Sequence, residues 1–150
     1  MTEPLIDEVE AHDPALAAIL REAGLPTADL VETPADRERR FFRFREEHGG
    51  MIGCIGWEAT GQIALLRSLV VAPERRGQGW SRVMTDWALQ RLAVTGIADV
   101  YVLTTSIEPL ARHFGFSRIE RNQAPPAIRR SRQFASICPV NAVLMHRCLR

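Results

Sequence analysis

The most suggestive spacing of reactive residue types lies in residues 70–82, Val-Val-Ala-Pro-Glu-Arg-Arg-Gly-Gln-Gly-Trp-Ser-Arg. Gly77 and Gly79 stand two apart, with Arg75 and Arg76 on one side and Arg82 on the other. Glycine permits unusual φ angles and close backbone approach. An amphipathic pattern starts directly after Gly79, so backbone N–H groups of the turn and of a helix N-terminus converge on one point. That arrangement holds phosphate or pyrophosphate. The spacing matches neither G-x-G-x-x-G nor G-x-x-x-x-G-K-[ST]. An ordinary strand-to-helix turn with solvated arginines is the plain alternative.

Arg67-Ser68 interrupts an otherwise apolar strand between Leu65-Leu66 and Leu69-Val70-Val71. Strict alternation puts Arg67 on one face with Leu65 and Leu69, and Ser68 on the other with Leu66 and Val70. A charge in such a strand is costly unless paired. Two readings stay open: Arg67 pairs with an internal acid such as Glu58, or it receives a substrate carboxylate. Thr104 and Thr105 end the later apolar strand, where the C-terminal end of a parallel strand commonly meets ligand. Glu58 is a candidate base acting through water, or else a solvated strand-end carboxylate. His113 is a candidate proton donor, or else a surface histidine. Arg129, Arg130 and Arg132 offer further carboxylate contacts, with solvated helix charges as the commoner outcome.

The elements that must position these residues are legible in the periodicity. Asp13 caps a helix that Pro14 starts and Gly24 stops. A polar stretch over 26–36 contains a short helical turn near 28–31. Strands are predicted over 39–46, 51–58 and 62–71, joined by turns at Gly49-Gly50 and Thr60-Gly61. A helix over 79–95 carries the stripe Trp80, Val83, Met84, Trp87, Ala88 and Leu92. There follow a strand over 99–105, a helix over 108–114, a strand over 116–121, a helix over 125–137 and a final strand over 142–149. A right-handed crossover makes the 99–105 strand parallel to a strand of the meander. The fold class is therefore α/β (α+β): one domain over 1–150, with a mixed, mostly antiparallel sheet flanked by helices.

Composition narrows the function. With 150 residues, 46% hydrophobic and 25% charged, the chain can bury roughly 70% of its unfolded surface. A net charge of +1 leaves no electrostatic footprint for nucleic acid or an anionic membrane. An acidic start without an apolar core and the absence of a run near ~20 apolar residues predict a cytoplasmic protein. Cys54, Cys138 and Cys148 show no metal-type spacing, so no metal is expected.

Residues 39–116 resemble the GNAT family of N-acetyltransferases. The family signature, Gln/Arg-x-x-Gly-x-Gly/Ala, is matched by Arg76-Gly77-Gln78-Gly79-Trp80-Ser81, with Ser81 as the mild departure. Leu69-Val70-Val71-Ala72-Pro73 matches the preceding strand, and Phe114-Gly115-Phe116 the later glycine–aromatic step. The resemblance implies acetyl-CoA as cosubstrate, with its pyrophosphate on the amides of Arg76 to Ser81 and Arg82 alongside. It implies that the edge of Leu69, Val70 and Val71 pairs with the pantetheine arm, and that an amide near Val70 or Val71 serves as oxyanion donor. The family's frequent glutamate on this strand is missing, and Ala111 stands at its tyrosine position. Tyr101, the sole tyrosine, reads as sheet packing.

A further resemblance, to small acetyltransferases associated with arsenic resistance, rests on segments such as Leu25-Pro26-Thr27, Leu66-Arg67-Ser68-Leu69, Leu103-Thr104-Thr105 and Ala124-Pro125-Pro126. Leu103-Thr104-Thr105 is also similar to N-acetylglutamate synthases. Together these imply direct transfer, in a ternary complex, to the α-amine of an amino-acid-like small molecule, such as a glutamate analogue or an arsenic-containing amino acid. Arg67, Ser68, Thr104 and Thr105 would bind that substrate, and Cys138 is a candidate contact for an arsenical. An α-amine, with pKa ~8, is about one-tenth neutral at pH 7, a deficit of only ~1.4 kcal/mol, whereas a lysine ε-amine at ~10.4 suffers far more. Acetylation of another amine such as a protein N-terminus, and a non-catalytic acyl-CoA-binding module, remain as alternatives. A homodimer is a family-level expectation.

Overall fold

The computed structural model describes residues 3–137 and 141–150. Seven strands form one sheet in the order β1-β2-β3-β4-β5-β7-β6. They are β1 (Leu5–Val9), β2 (Glu38–Arg45), β3 (Met51–Thr60), β4 (Ile63–Val71), β5 (Asp99–Thr104), β6 (Ser117–Arg118) and β7 (Val143–Cys148). The helices are α1 (Pro14–Glu22), α2 (Trp80–Val94), α3 (Glu108–His113) and α4 (Pro126–Arg129). Every strand pair is antiparallel except β4 with β5, the parallel pair that the crossover rule anticipates.

Helices cover both faces. On one, α2 and α3 bury Trp80, Met84, Leu92 and Ala111 against Phe44, Ile52, Leu66 and Val102. On the other, Leu16 and Leu20 of α1 meet Phe41, Cys54 and Val70, and Ile128 of α4 meets Leu65, Tyr101 and Leu144. The α1 ends form as the sequence indicates. Asp13 Oδ1 accepts the Ala15 N–H at 2.8 Å, and Gly24 follows the last turn at φ +74°.

Three elements differ from the sequence expectation. The sequence pattern does not announce β1, because two adjacent acids, Asp7 and Glu8, break the apolar alternation of its five residues. Those acids are matched by arginines across the pair: Asp7 with Arg43 and Arg45, at 3.2 and 2.6 Å, and Glu8 with Arg40 at 2.8 Å. The 125–137 helix breaks after Arg129 and resumes as a wider turn over Gln133–Ile137. At the break the Ser131 hydroxyl donates to the Ile128 carbonyl at 2.7 Å and accepts the Phe134 N–H at 3.1 Å, displacing the helical ladder. The 116–121 strand shrinks to β6, and Arg121–Gln123 forms a tight turn.

Candidate active site

β4 keeps β3 along its whole length but loses β5 part-way, and the site sits where it does so. Its parallel ladder with β5 runs from Ile63–Asp99 to Leu66–Val102 and ends there. On the β3 side, Gly56 opposes Arg67 and Cys54 opposes Val70, so Ile55 alone faces both Ser68 and Leu69. This is a β-bulge, with Ser68 in the left-handed region at φ +62°. Three contacts fix it. Arg67 Nε donates to Ser68 Oγ at 3.1 Å, and the Cys54 thiol donates to the Ser68 carbonyl at 3.4 Å. Gly53 lets the Val70 carbonyl approach to a point only 2.2 Å from where a Cβ would stand.

The bulge overturns the face assignment made by strict alternation. Leu69 and Val71 join Leu66 on the α2 face, whereas Val70 packs with Cys54 against α1. One extra residue in the strand shifts every later side chain to the opposite face.

A cavity of about 420 Å³ opens where β4 and β5 part. Arg67, Ser68, Leu69, Thr104 and Thr105 all line it, so the structure gathers the sequence-predicted substrate residues beside the start of the predicted pantetheine edge. Leu25, Pro26, Leu110 and Phe116 supply apolar wall. Ala111, in the place of the family tyrosine, adds none of a tyrosine's bulk or acidity. The Thr104 hydroxyl accepts the N–H groups of Ser106 and Ile107 at 3.0 and 2.8 Å, which leaves its own proton to donate. Thr85 on α2, missed in the sequence reading, lines the same cavity with a buried hydroxyl that has no partner among the described residues. Its signal was present: it sits between Met84 and Ala88 on the buried stripe. Among the described residues, Arg67 is the only ionisable one in the lining.

Arg67 is not free. Its guanidinium pairs with both oxygens of Asp29, the Nη2–Oδ1 contact measuring 2.9 Å, and with Glu58 Oε2 at 2.7 Å. The other Glu58 oxygen accepts from Arg37 at 3.2 Å, and Arg37 also pairs with Asp36 at 2.9 Å. Arg67, Asp29 and Glu58 are each under 10% exposed. Burial works to raise the Asp29 pKa, but the Arg67 hydrogen bond and charge, with Gln133 and Arg39, hold it below the ordinary carboxylate value. Of the two readings for Arg67, the internal ion pair is the one observed, with Asp29 as a partner the sequence reading missed. Glu58 is neither a solvated carboxylate nor an available base, because both its oxygens are taken by guanidinium groups. Arg130 and Arg132 pair with Asp36 and Glu32, and Arg129 donates to the Ala124 carbonyl at 2.7 Å.

The basic turn leads from the end of β4 into α2. Gly77 and Gly79 take φ +77° and +89°, with open space where each Cβ would stand. No side chain caps α2, whose N-cap is Gly79, so the amides of its first turn are left for a ligand. A diphosphate fits that donor set. Arg76, Gly77, Gln78 and Gly79 are exposed, and Ser81 and Arg82 stand on the first turn. Trp80 is buried and gives its indole N–H to the Gln78 side chain at 3.2 Å, so only its backbone is available. Arg75 is occupied by Glu46, with one contact at 2.9 Å. His113 is exposed, edge-on to Phe114 and outside the cavity lining. Tyr101 packs against His146 on the sheet. Cys54 is buried and its thiol is pushed up to about 12 by burial. Cys138 lies outside the described residues.

Residues 10–116 match the model of the acetyltransferase (GNAT) family. The chain belongs to that family. This GNAT protein is an acetyl-CoA-dependent N-acetyltransferase, and the matched span includes the bulged strand and the basic turn. It is 31% identical, over 71% of its own length and 68% of the relative's, to an uncharacterised N-acetyltransferase of Chlorobaculum tepidum. Its fold is similar to N-acetylglutamate synthase from Neisseria gonorrhoeae, solved with coenzyme A and N-acetyl-glutamate (TM-score 0.73, 19% identity). That match covers 99% of this chain and 36% of the synthase, so the chain spans about a third of that protein. The ribosomal-protein-S18-alanine N-acetyltransferase of Escherichia coli is also similar in fold (TM-score 0.68, 16% identity), with coverage of 97% and 94%. No helix among the described residues is long and apolar enough to cross a membrane.

Proposed function

We propose that this GNAT enzyme acetylates the α-amine of an amino-acid-like small molecule, by direct attack within a ternary complex. The observation that carries the reading is the cavity lining: among the described residues its one ionisable side chain is an arginine already bound to two carboxylates. A site without a base favours an amine that is partly neutral on its own, and an α-amine with pKa ~8 is such a group. When bound, acetyl-CoA supplies the thioester. The chain's own residues then bind, orient and stabilise. Amides of Arg76 to Ser81, with Arg82, hold the diphosphate, and the free edge of Leu69, Val70 and Val71 receives the arm. An amide near Val70 or Val71 donates to the carbonyl oxygen as charge develops. Thr104 and Thr105 offer hydroxyls to the polar part of the acceptor, whereas the Ser68 Oγ is engaged by the Arg67 Nε–H. Orientation supplies most of the barrier reduction, in the range of ~7–11 kcal/mol for well-placed partners.

Two fold relatives are named for acetylating glutamate and a protein's alanine, which agrees with an α-amine acceptor. The test is coenzyme A release against a panel: single amino acids including glutamate, an arsenic-containing glutamate analogue, a peptide with a free N-terminus, and Nα-blocked lysine. Turnover of free amino acids, with kcat/KM rising tenfold per pH unit up to the amine pKa, is the expected result. Preference for the blocked lysine would overturn the reading, and preference for the peptide would move the acceptor to a protein N-terminus.

A further inference from the structure

We propose that Arg67 is a positioning residue, which Asp29 and Glu58 lock in place so that its Nε–H holds Ser68 in the left-handed conformation and keeps the β4 bulge open. The inference rests on the reading that transfer takes place in the cavity beside that bulge. It assigns Arg67 a task other than binding a substrate carboxylate.

Ser68 is the only non-glycine described residue with positive φ. A residue with a Cβ pays roughly 1–2 kcal/mol there relative to glycine, so something must hold it. The holder is rigid. The Arg67 side chain is 2% exposed, and its guanidinium lies 5.3 Å from the Phe41 ring centroid. Three of its N–H groups reach two carboxylates on separate elements, one on the 28–31 turn and one on β3. The fourth, on Nε, reaches Ser68 Oγ. A side chain so constrained cannot follow Ser68 if the bulge relaxes, and relaxation would flip Leu69 out of the cavity wall. The same cluster fixes a second wall, because the turn bearing Asp29 follows Gly24, Leu25 and Pro26 of the lining.

The variants that isolate this contact are at Ser68, since they leave all the buried charges paired. Ser68→Ala keeps the strain and loses the tether, whereas Ser68→Gly loses both. Ser68→Ala should lower kcat about tenfold, the population effect of the released strain, with acetyl-CoA Kd within about twofold. Ser68→Gly, although it removes more atoms, should lower kcat by less than about threefold. Adding Arg67→Gln to Ser68→Gly should cost less in kcat than adding it to the wild-type protein, each measured well below the variant's Tm. Equal kcat for Ser68→Ala and Ser68→Gly, or an Arg67→Gln effect that is the same in both backgrounds, would overturn the proposal. Amide exchange separates this from failure of the acetyl-transfer reading. If the wild-type protein turns over no amine on the panel, faster exchange at Leu69 and Val70 in Ser68→Ala still supports the clamp, and unchanged exchange refutes it.

Discussion

Replacing Arg67 by methionine should be among the most destabilising single changes available in this protein. The substitution keeps the stem in contact with Phe41 but leaves Asp29 and Glu58 without their shared partner. Glu58 retains Arg37 at 3.2 Å, whereas Asp29 keeps only Gln133 and a distant Arg39 at 3.9 Å. Breaking a buried pair costs about 3–5 kcal/mol. For a chain of this length that lowers Tm by roughly 6–20 °C. The control is the triple change Arg67→Met, Asp29→Asn, Glu58→Gln, which removes the charges together and should restore most of the loss. Urea denaturation with unchanged m-values gives both numbers. A loss below ~1 kcal/mol for the single variant, as for a surface pair, would refute the argument that these charges are desolvated.

Gly79→Asp places a carboxylate at the unfilled mouth of the first α2 turn and should weaken coenzyme A binding at least ~tenfold; calorimetric titration of a folded variant with unchanged affinity would remove the diphosphate from that turn. Asp36 is held at about 2, from an ordinary 3.8, first by the Arg37 hydrogen bond. A depressed folded pKa stabilises above the unfolded value and loses that contribution as pH falls from about 4 to about 2. The slope of Tm over that window should flatten in Asp36→Asn. Cys54, with its thiol near 12, should resist iodoacetamide at pH 8 in the native protein while exposed Cys148 reacts; mass-mapped labelling of Cys54 without denaturant would contradict its burial.

The sequence made the periodic elements and the glycine–arginine turn before α2 legible because both depend on local chemistry. Helix α1 carries its cap, its proline and its stopping glycine within a few residues. The turn carries its glycines and arginines within eight. What escaped depends on contacts distant in sequence. β1 is stabilised by arginines more than 30 residues away, and Asp29 meets Arg67 across 38. The bulge escaped for a different reason. A lone serine inside an apolar run marks it only weakly, whereas a glycine at the positive φ would have announced it. Strict alternation therefore runs straight through Ser68 and exchanges the faces of Leu69 and Val70.

That exchange ties the phase of the strand to a single residue. From Leu69 onward, β4 is read in the opposite phase from Leu65 to Arg67, and two separate cores are built on that phase. Deleting Ser68 would leave Leu69 and Val71 toward α2 and Val70 toward α1, because the extra residue leaves together with the bulge and Ile55 then opposes Leu69 alone. The exchange of faces comes instead from a strand that keeps Ser68 and loses the bulge. The two cores would therefore survive the loss of this codon, and what it would erase is the departure from a regular pleat beside the cavity.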